Sequence, residues 1–405
     1  MNTKKKLLLF FIFILPTLPG YSFNREELSS KLKTILQTGD SLLVSEISTG
    51  KLLFEYNPRI PVIPASTLKI PLTVFSLKTL GEDFRFETSF YIDKNNYLII
   101  KGKGDPFLIS EEINLITKKL ADLLKNKKIP ELKGILIDDS YFEKVKIPGV
   151  ADSENPYDVL NGPFVVNFNT INLQKKNGQI FSAEKETPLT PLAVKLGDSH
   201  LNKNMDRINL SHSYEYVISY GCELFGKFLT MHGLVVADSC SIRKADEKSD
   251  ELVYTHLSTK PLTEILKALL KFSNNFIANQ ILIRCGIKKF NAPGSVEKGV
   301  AAMTNFYKEL GWKNFNFEEG SGISVKNRVN PMDMLNLLNS PDFLKYRNLL
   351  KEDKKSGTLS VAMAYAGYIG NYSFVIFCQN GGRSTKYPIF GRREKLFKTL
   401  KEYLE

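Results

Sequence analysis

Residues 64–73 read PASTLKIPLT, and this stretch decides the fold and the chemistry that the sequence predicts. Ser66 and Lys69 are three positions apart, so on a helix their Cβ atoms lie about 5–6 Å apart on one side. Pro71 is tolerated only near the start of a helix, which puts Ser66 at or close to the helix N-terminus. A serine hydroxyl becomes a nucleophile when a base removes its proton, and a lysine with a lowered pKa can be that base. The simpler interpretation is a serine N-cap followed by a surface lysine.

A second polar group, Ser273-Asn274-Asn275, separates two runs of helical apolar periodicity, residues 262–272 and 276–283. A polar break between two apolar helices is typical of a loop whose side chains face a cleft. There, Ser273 is a candidate to pass a proton to a leaving amine, and Asn275 is a candidate to bind a substrate amide and the lysine. The alternative is an ordinary helix cap, where Ser and Asn are favoured.

A third group, Lys355-Ser356-Gly357-Thr358, precedes an aromatic-rich run, as expected for a strand at the edge of a site. Lys355 and Ser356 are candidates to hold a substrate carboxylate, and Gly357 lets the substrate backbone approach closely. The backbone N–H groups of Ser66 and Thr358 are the candidates for an oxyanion hole. The alternative is a polar turn before a strand.

The three groups correspond to S-x-x-K, S-x-N and K-[ST]-G, in the order found in penicillin-binding proteins and serine β-lactamases. With further stretches in common, the chain resembles the class C low-molecular-mass penicillin-binding proteins, the D-alanyl-D-alanine carboxypeptidase/endopeptidase family. Those stretches are Pro64-Ala65-Ser66-Thr67, Gly104-Asp105-Pro106, Asp138-Asp139-Ser140-Tyr141-Phe142, Asn167-Phe168-Asn169, Gly320-Ser321-Gly322 and Asn327-Arg328. The chain departs from the family at Ser356, usually threonine, at Glu319, usually aspartate, and at Val325, where many members have an arginine.

The resemblance implies a serine peptidase that cleaves the terminal D-Ala-D-Ala bond of peptidoglycan peptides, or D-alanyl cross-links, through an acyl-enzyme on Ser66. Penicillins and other β-lactam antibiotics are then expected to acylate the same serine. Asp138 is implied as a further substrate-binding residue, at the peptide side chain.

Two alternative functions stay open. A serine β-lactamase shares all three motifs, although the sequence has no Glu-x-x-Leu-Asn segment to activate a deacylating water. A non-catalytic cell-wall-binding protein of the same fold would use its basic surface instead.

The fold class implied is α+β, with a penicillin-binding/serine β-lactamase-like core whose antiparallel five-stranded sheet is flanked by helices. Simple β-lactamases have fewer residues between the first two motifs, and the family has an insertion there. From about residue 90 the pattern changes to short strands around single helices, which favours a separate α/β region. The prediction is a catalytic domain of residues 23–89 and 255–405, with an inserted α/β region of residues 90–254.

The N-terminal segment has the pattern of an export signal. Lys4, Lys5 and Lys6 precede an apolar run over residues 7–18, and a small residue follows at Ser22. The run is shorter than the roughly 20 residues of a membrane span. We therefore expect residues 1–22 to be a signal peptide, cleaved after Ser22, and the protein to be periplasmic or otherwise extracytoplasmic.

The net charge of the chain is relevant to its possible binding partners. The formal net charge of +12 falls to +9 once the three lysines of the signal peptide are removed. In an exported protein, a basic surface favours loose association with a membrane surface or an anionic wall polymer over nucleic acid. A Lys-, Asn- and Ile-rich composition can equally reflect nucleotide bias, so the charge indicates a partner only weakly.

The four cysteines show no C-x-x-C spacing, so we expect neither a metal site nor a cofactor. Cys222 and Cys240 are close enough in sequence to form a disulfide in an oxidising compartment. Cys285 and Cys378 lie in apolar stretches and are expected to be buried as small hydrophobic residues.

Overall fold

The computed structural model describes residues 24–143, 145–151, 153, 155, 158–201, 204–211, 213–380 and 388–405. The predicted signal peptide, residues 1–22, lies outside these ranges. Within them, no helix is both long enough and apolar enough to cross a membrane.

The first part of the chain supplies a helix, a hairpin and the helix that follows Ser66. Asn24 caps the first helix by accepting a hydrogen bond from the Glu27 backbone N–H, and this helix buries a stripe that includes Leu28 and Leu32. These elements are α1 (Arg25–Ile35), β1 (Ser41–Glu46), β2 (Leu52–Tyr56) and α2 (Lys69–Leu80).

The middle of the chain forms short strands around three helices. They are β3 (Glu87–Ile92), β4 (Tyr97–Gly102), α3 (Ser110–Asn126), β5 (Glu131–Leu132), β6 (Gly134–Asp138), β7 (Thr170–Lys176), β8 (Gln179–Ser182), α4 (Pro191–His200), β9 (Met205–Asn209), α5 (Tyr214–Met231), β10 (Val235–Val236), β11 (Cys240–Ile242) and β12 (Glu251–Leu257).

The last part of the chain returns to longer helices and closes with a hairpin of apolar strands and a helix. They are α6 (Leu262–Phe272), α7 (Asn275–Phe290), α8 (Val296–Glu309), α9 (Pro331–Asn339), α10 (Pro341–Leu344), β13 (Lys354–Thr358), β14 (Ala362–Ile369), β15 (Tyr372–Gln379) and α11 (Ile389–Leu404).

A five-stranded sheet joins the two ends of the chain in the order β13-β14-β15-β1-β2. All four of its strand pairs are antiparallel; β1 pairs with β15 from Ser41 opposite Phe377 to Glu46 opposite Tyr372. This sheet with its flanking helices confirms the predicted α+β, penicillin-binding/β-lactamase-like fold class.

Helices cover both faces of this sheet. Successive strand residues point to opposite faces, so Leu42 and Val44 pack in a core with α1 and α11. Leu43 points the other way, into the larger core formed with α2, α6, α7 and α9. Because helices cover both faces of β14 and β15, these two strands are nearly continuous buried runs.

The middle of the chain has its own sheets and its own apolar core. A five-stranded mixed sheet has the order β11-β6-β4-β3-β12, and β7 pairs with β8 and β9 in a smaller sheet. A disulfide joins Cys222 on α5 to Cys240 on β11. The remaining cysteines, Cys285 and Cys378, are buried as expected. The mixed sheet extends from Glu87 to Leu257, slightly beyond the predicted insertion at each end.

Candidate active site

Ser66 lies in a turn of 3-10 helix, Ala65–Leu68, that continues directly into α2. The sequence predicts an α-helix from about Ser66, whereas in the structure the α-helix begins at Lys69. Pro71 sits in the first turn of α2, where its missing N–H removes no intrahelical hydrogen bond. Ala65 has a φ of 47°. Such left-handed backbone is costly for a residue with a side chain, and it concentrates at functional sites.

Two glycines allow other segments to pack directly on this turn. A Cβ atom on Gly322 would lie 1.9 Å from the carbonyl oxygen of Ala65. A Cβ atom on Gly357 would lie 2.8 Å from the backbone nitrogen of Ser66. The turn is therefore held between the loop that contains Gly322 and the strand β13, and each contact requires a residue without a side chain.

Lys69 is completely buried and points at Ser66. Its Nζ donates to the Ser66 Oγ at 3.0 Å, to the Asn275 Oδ1 at 2.9 Å and to the backbone oxygen of Ser321 at 2.7 Å. The structure thus brings together the predicted nucleophile, its predicted base and one predicted residue of the second motif.

Burial also changes the acidity of Lys69. Loss of solvation holds the pKa of the Lys69 amine well below its ordinary value, and the positive charge of Lys355 lowers this pKa further. The negative charge of Glu319 acts in the opposite direction. An amine whose pKa is lowered is neutral more of the time, which is the form that can accept the Ser66 proton.

The second motif begins in a two-residue break between two helices, formed by Ser273 and Asn274. Ser273 ends α6 in the left-handed conformation, with a φ of 55°, and α7 begins at Asn275. The intervening Asn274 is an N-cap, since its side chain accepts from the Ile277 backbone N–H. The helix-cap interpretation is thus correct for Asn274, whereas the side chains on either side of it contact the two buried lysines.

Lys355 is the second buried amine, and it lies on β13. Its Nζ donates to the Ser273 Oγ at 2.8 Å and to the backbone oxygen of Ser356 at 2.9 Å. Burial lowers the pKa of Lys355 to about 8. Its ammonium form is therefore retained near neutral pH, which suits a group that attracts a carboxylate.

The third motif lies on a strand at the edge of the sheet, because β13 is the last strand in the order. Ser356 and Thr358 are exposed, while Lys355 and Gly357 alternate with them and are buried. An edge strand presents backbone N–H and C=O groups that an extended peptide can pair with.

Asp138 is the one predicted site residue that the structure does not bring to the lysines and serines. It ends β6 in the mixed sheet and is fully buried. Its two carboxylate oxygens accept from the backbone N–H groups of Ser140 and Ala245, each at 3.0 Å. These bonds close the turn after β6, and a substrate-binding role for Asp138 gains no support from them.

Among the residues that the structure describes, several lie at the site without a role predicted from the sequence, and Glu319 and Arg393 are two of them. The sequence marks Glu319 only as a departure from the family, yet it is fully buried and acts electrostatically on Lys69. Arg393, on α11, donates to the Gly357 backbone oxygen at 3.1 Å and to the Thr358 Oγ1 at 3.2 Å. A carboxylate directly before Gly-Ser-Gly was the available signal for Glu319. The sequence offers none for Arg393, because helix α11 is far from β13 along the chain.

The chain is similar to known proteins over most of its length. The model of the D-Ala-D-Ala carboxypeptidase 3 (S13) family matches residues 27–195 and 198–372. D-alanyl-D-alanine carboxypeptidase DacB of Haemophilus influenzae is 25% identical over 370 residues, which cover 80% of this chain and 75% of that protein. Penicillin-sensitive carboxypeptidase A of Dictyostelium discoideum is 22% identical over 387 residues, which cover 76% of this chain and 70% of that protein.

Solved structures show the same fold. The crystal structure of penicillin binding protein 4 from Haemophilus influenzae is similar with a TM-score of 0.68 and 20% identity, covering 93% of this chain and 99% of that one. A predatory endopeptidase from Bdellovibrio bacteriovorus, in complex with an immunity protein, gives a TM-score of 0.51 and 14% identity, covering 90% and 92% of the two chains.

Proposed function

The chain belongs to the D-Ala-D-Ala carboxypeptidase 3 (S13) family, and on that premise we propose that it is an exported serine D-alanyl-D-alanine carboxypeptidase/endopeptidase that also binds penicillins. The observation that carries the proposal is the 3.0 Å hydrogen bond between the Lys69 Nζ and the Ser66 Oγ. Burial lowers the pKa of that lysine, which turns an ordinary amine into a base for the hydroxyl.

In the proposed reaction, the Ser66 Oγ attacks the carbonyl carbon of the penultimate D-alanine while its proton passes to the Lys69 amine. The backbone N–H groups of Ser66 and Thr358 stabilise the oxyanion that forms. When the C–N bond breaks, the leaving amine takes a proton from the Ser273 hydroxyl, and Lys355 replaces that proton across their 2.8 Å hydrogen bond. Water then attacks the ester carbonyl and gives one proton to Lys355, while the departing Ser66 oxygen takes back the proton held by Lys69.

The second and third motifs have proposed binding roles as well. Asn275 holds the Lys69 amine at 2.9 Å and is proposed to bind the substrate amide. Lys355 and the Ser356 hydroxyl are proposed to hold the terminal carboxylate of a peptide that ends in D-Ala-D-Ala, and Gly357 to let its backbone lie against β13. A penicillin presents a carboxylate and a reactive amide to the same groups, so it is proposed to acylate Ser66.

The domain organisation and location are also proposals. We propose residues 1–22 as a signal peptide, 23–89 with 255–405 as the catalytic domain, and 90–254 as an inserted α/β region. The sheet orders support this division, since one sheet uses strands from both ends of the chain and the other uses only strands from the middle. We further propose a periplasmic or other extracytoplasmic location, with peptidoglycan as the polymer acted on.

The first test is labelling with a fluorescent penicillin. We expect the wild-type protein to be labelled and Ser66→Ala to lose all labelling, because the alanine has no hydroxyl to acylate. Ser48→Ala is the matched control, since Ser48 is exposed in a hairpin turn away from the motifs. In parallel, release of D-alanine from a peptide ending in D-Ala-D-Ala should be lost in Ser66→Ala alone.

Two results would contradict the proposal. Labelling of Ser66→Ala at the wild-type rate would show that another residue is acylated. Many turnovers of a chromogenic cephalosporin per protein molecule, without D-alanine release, would favour the β-lactamase alternative.

A further inference from the structure

Glu319 is a fully buried carboxylate at the start of the loop that contains Gly320-Ser321-Gly322. Its Oε2 accepts from the Ser321 N–H at 2.6 Å and the Ser321 hydroxyl at 2.6 Å. Its Oε1 accepts from the Gly322 N–H at 2.7 Å and the Asn327 Nδ2 at 2.7 Å. An ionised carboxylate has only acceptor sites, so it matches a set of partners that are all donors.

Helix α7 holds the same carboxylate from the other side. The Asn279 Nδ2 donates to the Glu319 Oε2 at 3.2 Å, while the Asn279 Oδ1 accepts from the Gly320 N–H at 2.8 Å. Asn279 lies one helical turn beyond Asn275, which binds the Lys69 amine. Glu319 and the second motif are therefore fixed to the same helix.

The loop that Glu319 organises contacts both reacting groups of the proposed acylation. The backbone oxygen of Ser321 accepts from the Lys69 Nζ at 2.7 Å. Gly322 packs so tightly on Ala65 that a Cβ atom there would lie 1.9 Å from the Ala65 oxygen. A shift of this loop would consequently move the base and the turn that carries Ser66 relative to each other.

We propose that Glu319 is a positioning residue for the acylation of Ser66: its carboxylate folds the loop so that Ser321 holds the Lys69 amine and Gly322 supports the nucleophile turn. Glu319 does not touch the substrate in this proposal, and it acts through Ser321 and Gly322. The inference rests on the proposed function, because it concerns the same acylation.

The charges around Lys69 give this role a measurable signature. Among the described residues, Lys355 on β13 and Glu319 in the loop act on the Lys69 amine through their charges, in opposite directions. Lys355 and burial favour the neutral amine, whereas Glu319 favours the ammonium form. If a neutral side chain replaces Glu319, the pKa of Lys69 falls, and the amine becomes neutral at a lower pH.

The test compares the pH dependence of penicillin acylation in wild-type protein, Glu319→Gln and Glu319→Asp. In wild-type protein, acylation should rise with pH as Lys69 becomes neutral. In Glu319→Gln we expect the midpoint of this rise to move down by about one pH unit. Its maximal rate should fall by roughly 100-fold, because an amide cannot accept from all these donors and the loop shifts. Glu319→Asp keeps the charge, so it should retain the wild-type midpoint of the rise, with an intermediate maximal rate.

The matched control is Glu112→Gln, another buried glutamate with several partners, which accepts from Thr259 and His256 in the middle part of the chain. This variant should leave the midpoint of the acylation profile unchanged even if its thermal stability falls.

The possible outcomes distinguish a failure of the inference about Glu319 from a failure of the proposed function. If wild-type protein is labelled and Glu319→Gln keeps the wild-type midpoint, Glu319 has only a structural role and the inference is overturned. If Glu319→Gln does not fold, Glu319→Asp provides the test. A shifted midpoint or a wild-type maximal rate in Glu319→Asp would overturn the proposal that Glu319 is a positioning residue. If the wild-type protein itself is not acylated, the proposed function fails, and this inference fails with it.

Discussion

At the scale of single residues, the site depends on two amines with different acidities. Both Lys69 and Lys355 are buried, and burial lowers the pKa of each. Lys69 is enclosed completely and also feels the positive charge of Lys355, so its pKa is lowered well below the ordinary range. Lys355 retains a pKa of about 8. The first amine can therefore act as a base at a pH where the second still carries its charge.

This difference predicts a bell-shaped pH profile for penicillin acylation. Acylation needs neutral Lys69, so it rises as pH increases through the lowered pKa of Lys69. It also needs the Lys355 ammonium to hold the penicillin carboxylate, so it should fall as pH rises through about 8. Stopped-flow or gel-based labelling in a series of buffers on both sides of pH 8, extended downward until the rate falls, measures both limbs.

Lys355→Arg is the control for the predicted decline of the acylation rate at high pH. Arginine stays protonated throughout this range, so the variant should lose the decline above pH 8 even if its maximal rate is lower. A decline at the same pH in Lys355→Arg would show that another group controls that limb.

At the scale of elements, the site is assembled where a helix terminus, a helix break and an edge strand meet. The turn before α2 brings Ser66, the break between α6 and α7 brings Ser273, and β13 brings Lys355. Each element ends or bends at this point for a local reason: left-handed backbone at Ala65 and Ser273, and the absence of a side chain at Gly357.

The packing of β13 on the nucleophile turn predicts the effect of Gly357→Ala. The added methyl group would lie 2.8 Å from the Ser66 nitrogen and 3.0 Å from the Pro64 oxygen, and backbone atoms cannot rotate away. We expect β13 to shift and acylation to fall by about 100-fold, since displacements of about 1 Å can cost that much. Labelling rates together with the thermal unfolding temperature measure this effect.

Gly391→Ala is the matched control, because a Cβ atom at Gly391 on α11 meets nothing within 4 Å. It should leave labelling unchanged and raise the stability slightly, by about 1 kcal/mol, as alanine favours helix. If Gly357→Ala labels as fast as Gly391→Ala, close packing on Ser66 is not required for acylation.

At the scale of the whole molecule, the two largest apolar cores of the described residues are separate from each other. One lies between the five-stranded antiparallel sheet and α2, α6, α7 and α9, and includes Leu68 and Phe276, which adjoin the first two motifs. The other lies around the mixed sheet of the middle part and includes α3, α4 and α5. The disulfide joins Cys222, which is buried in the second core, to the exposed Cys240 on β11. Changes to that bridge should therefore affect stability more than chemistry.

The variant that combines Cys222→Ala and Cys240→Ala tests this separation. Closing a loop of 18 residues with a disulfide stabilises a protein by about 3 kcal/mol, so the variant should lose about that much free energy of unfolding. Penicillin labelling at 25 °C should continue at the wild-type rate. Circular dichroism in urea measures the stability, and fluorescent labelling measures the activity.

Reductant provides the control for that variant. It should lower the unfolding midpoint of the wild-type protein and leave that of the variant unchanged. Loss of labelling in the folded variant would show that the two parts of the molecule are coupled at the active site.

The sequence by itself determined the chemistry that is local along the chain. Ser66 and Lys69 are three positions apart, so any helix that includes both brings them together. The cap at Asn274 and the alternation of Lys355 with Ser356 are local in the same way. The order of the three motifs also sufficed to identify the fold class by resemblance.

The folding of the chain in three dimensions brings side chains that are distant in sequence together and excludes water from some of them. Lys69 reaches Asn275 across 206 positions, and Lys355 reaches Ser273 across 82. The buried bonds of Asp138 and Glu319 were equally invisible in the sequence. The physical reason is that a lowered lysine pKa, like a satisfied carboxylate, depends on how completely other segments exclude water from it, and that is a property of packing in three dimensions.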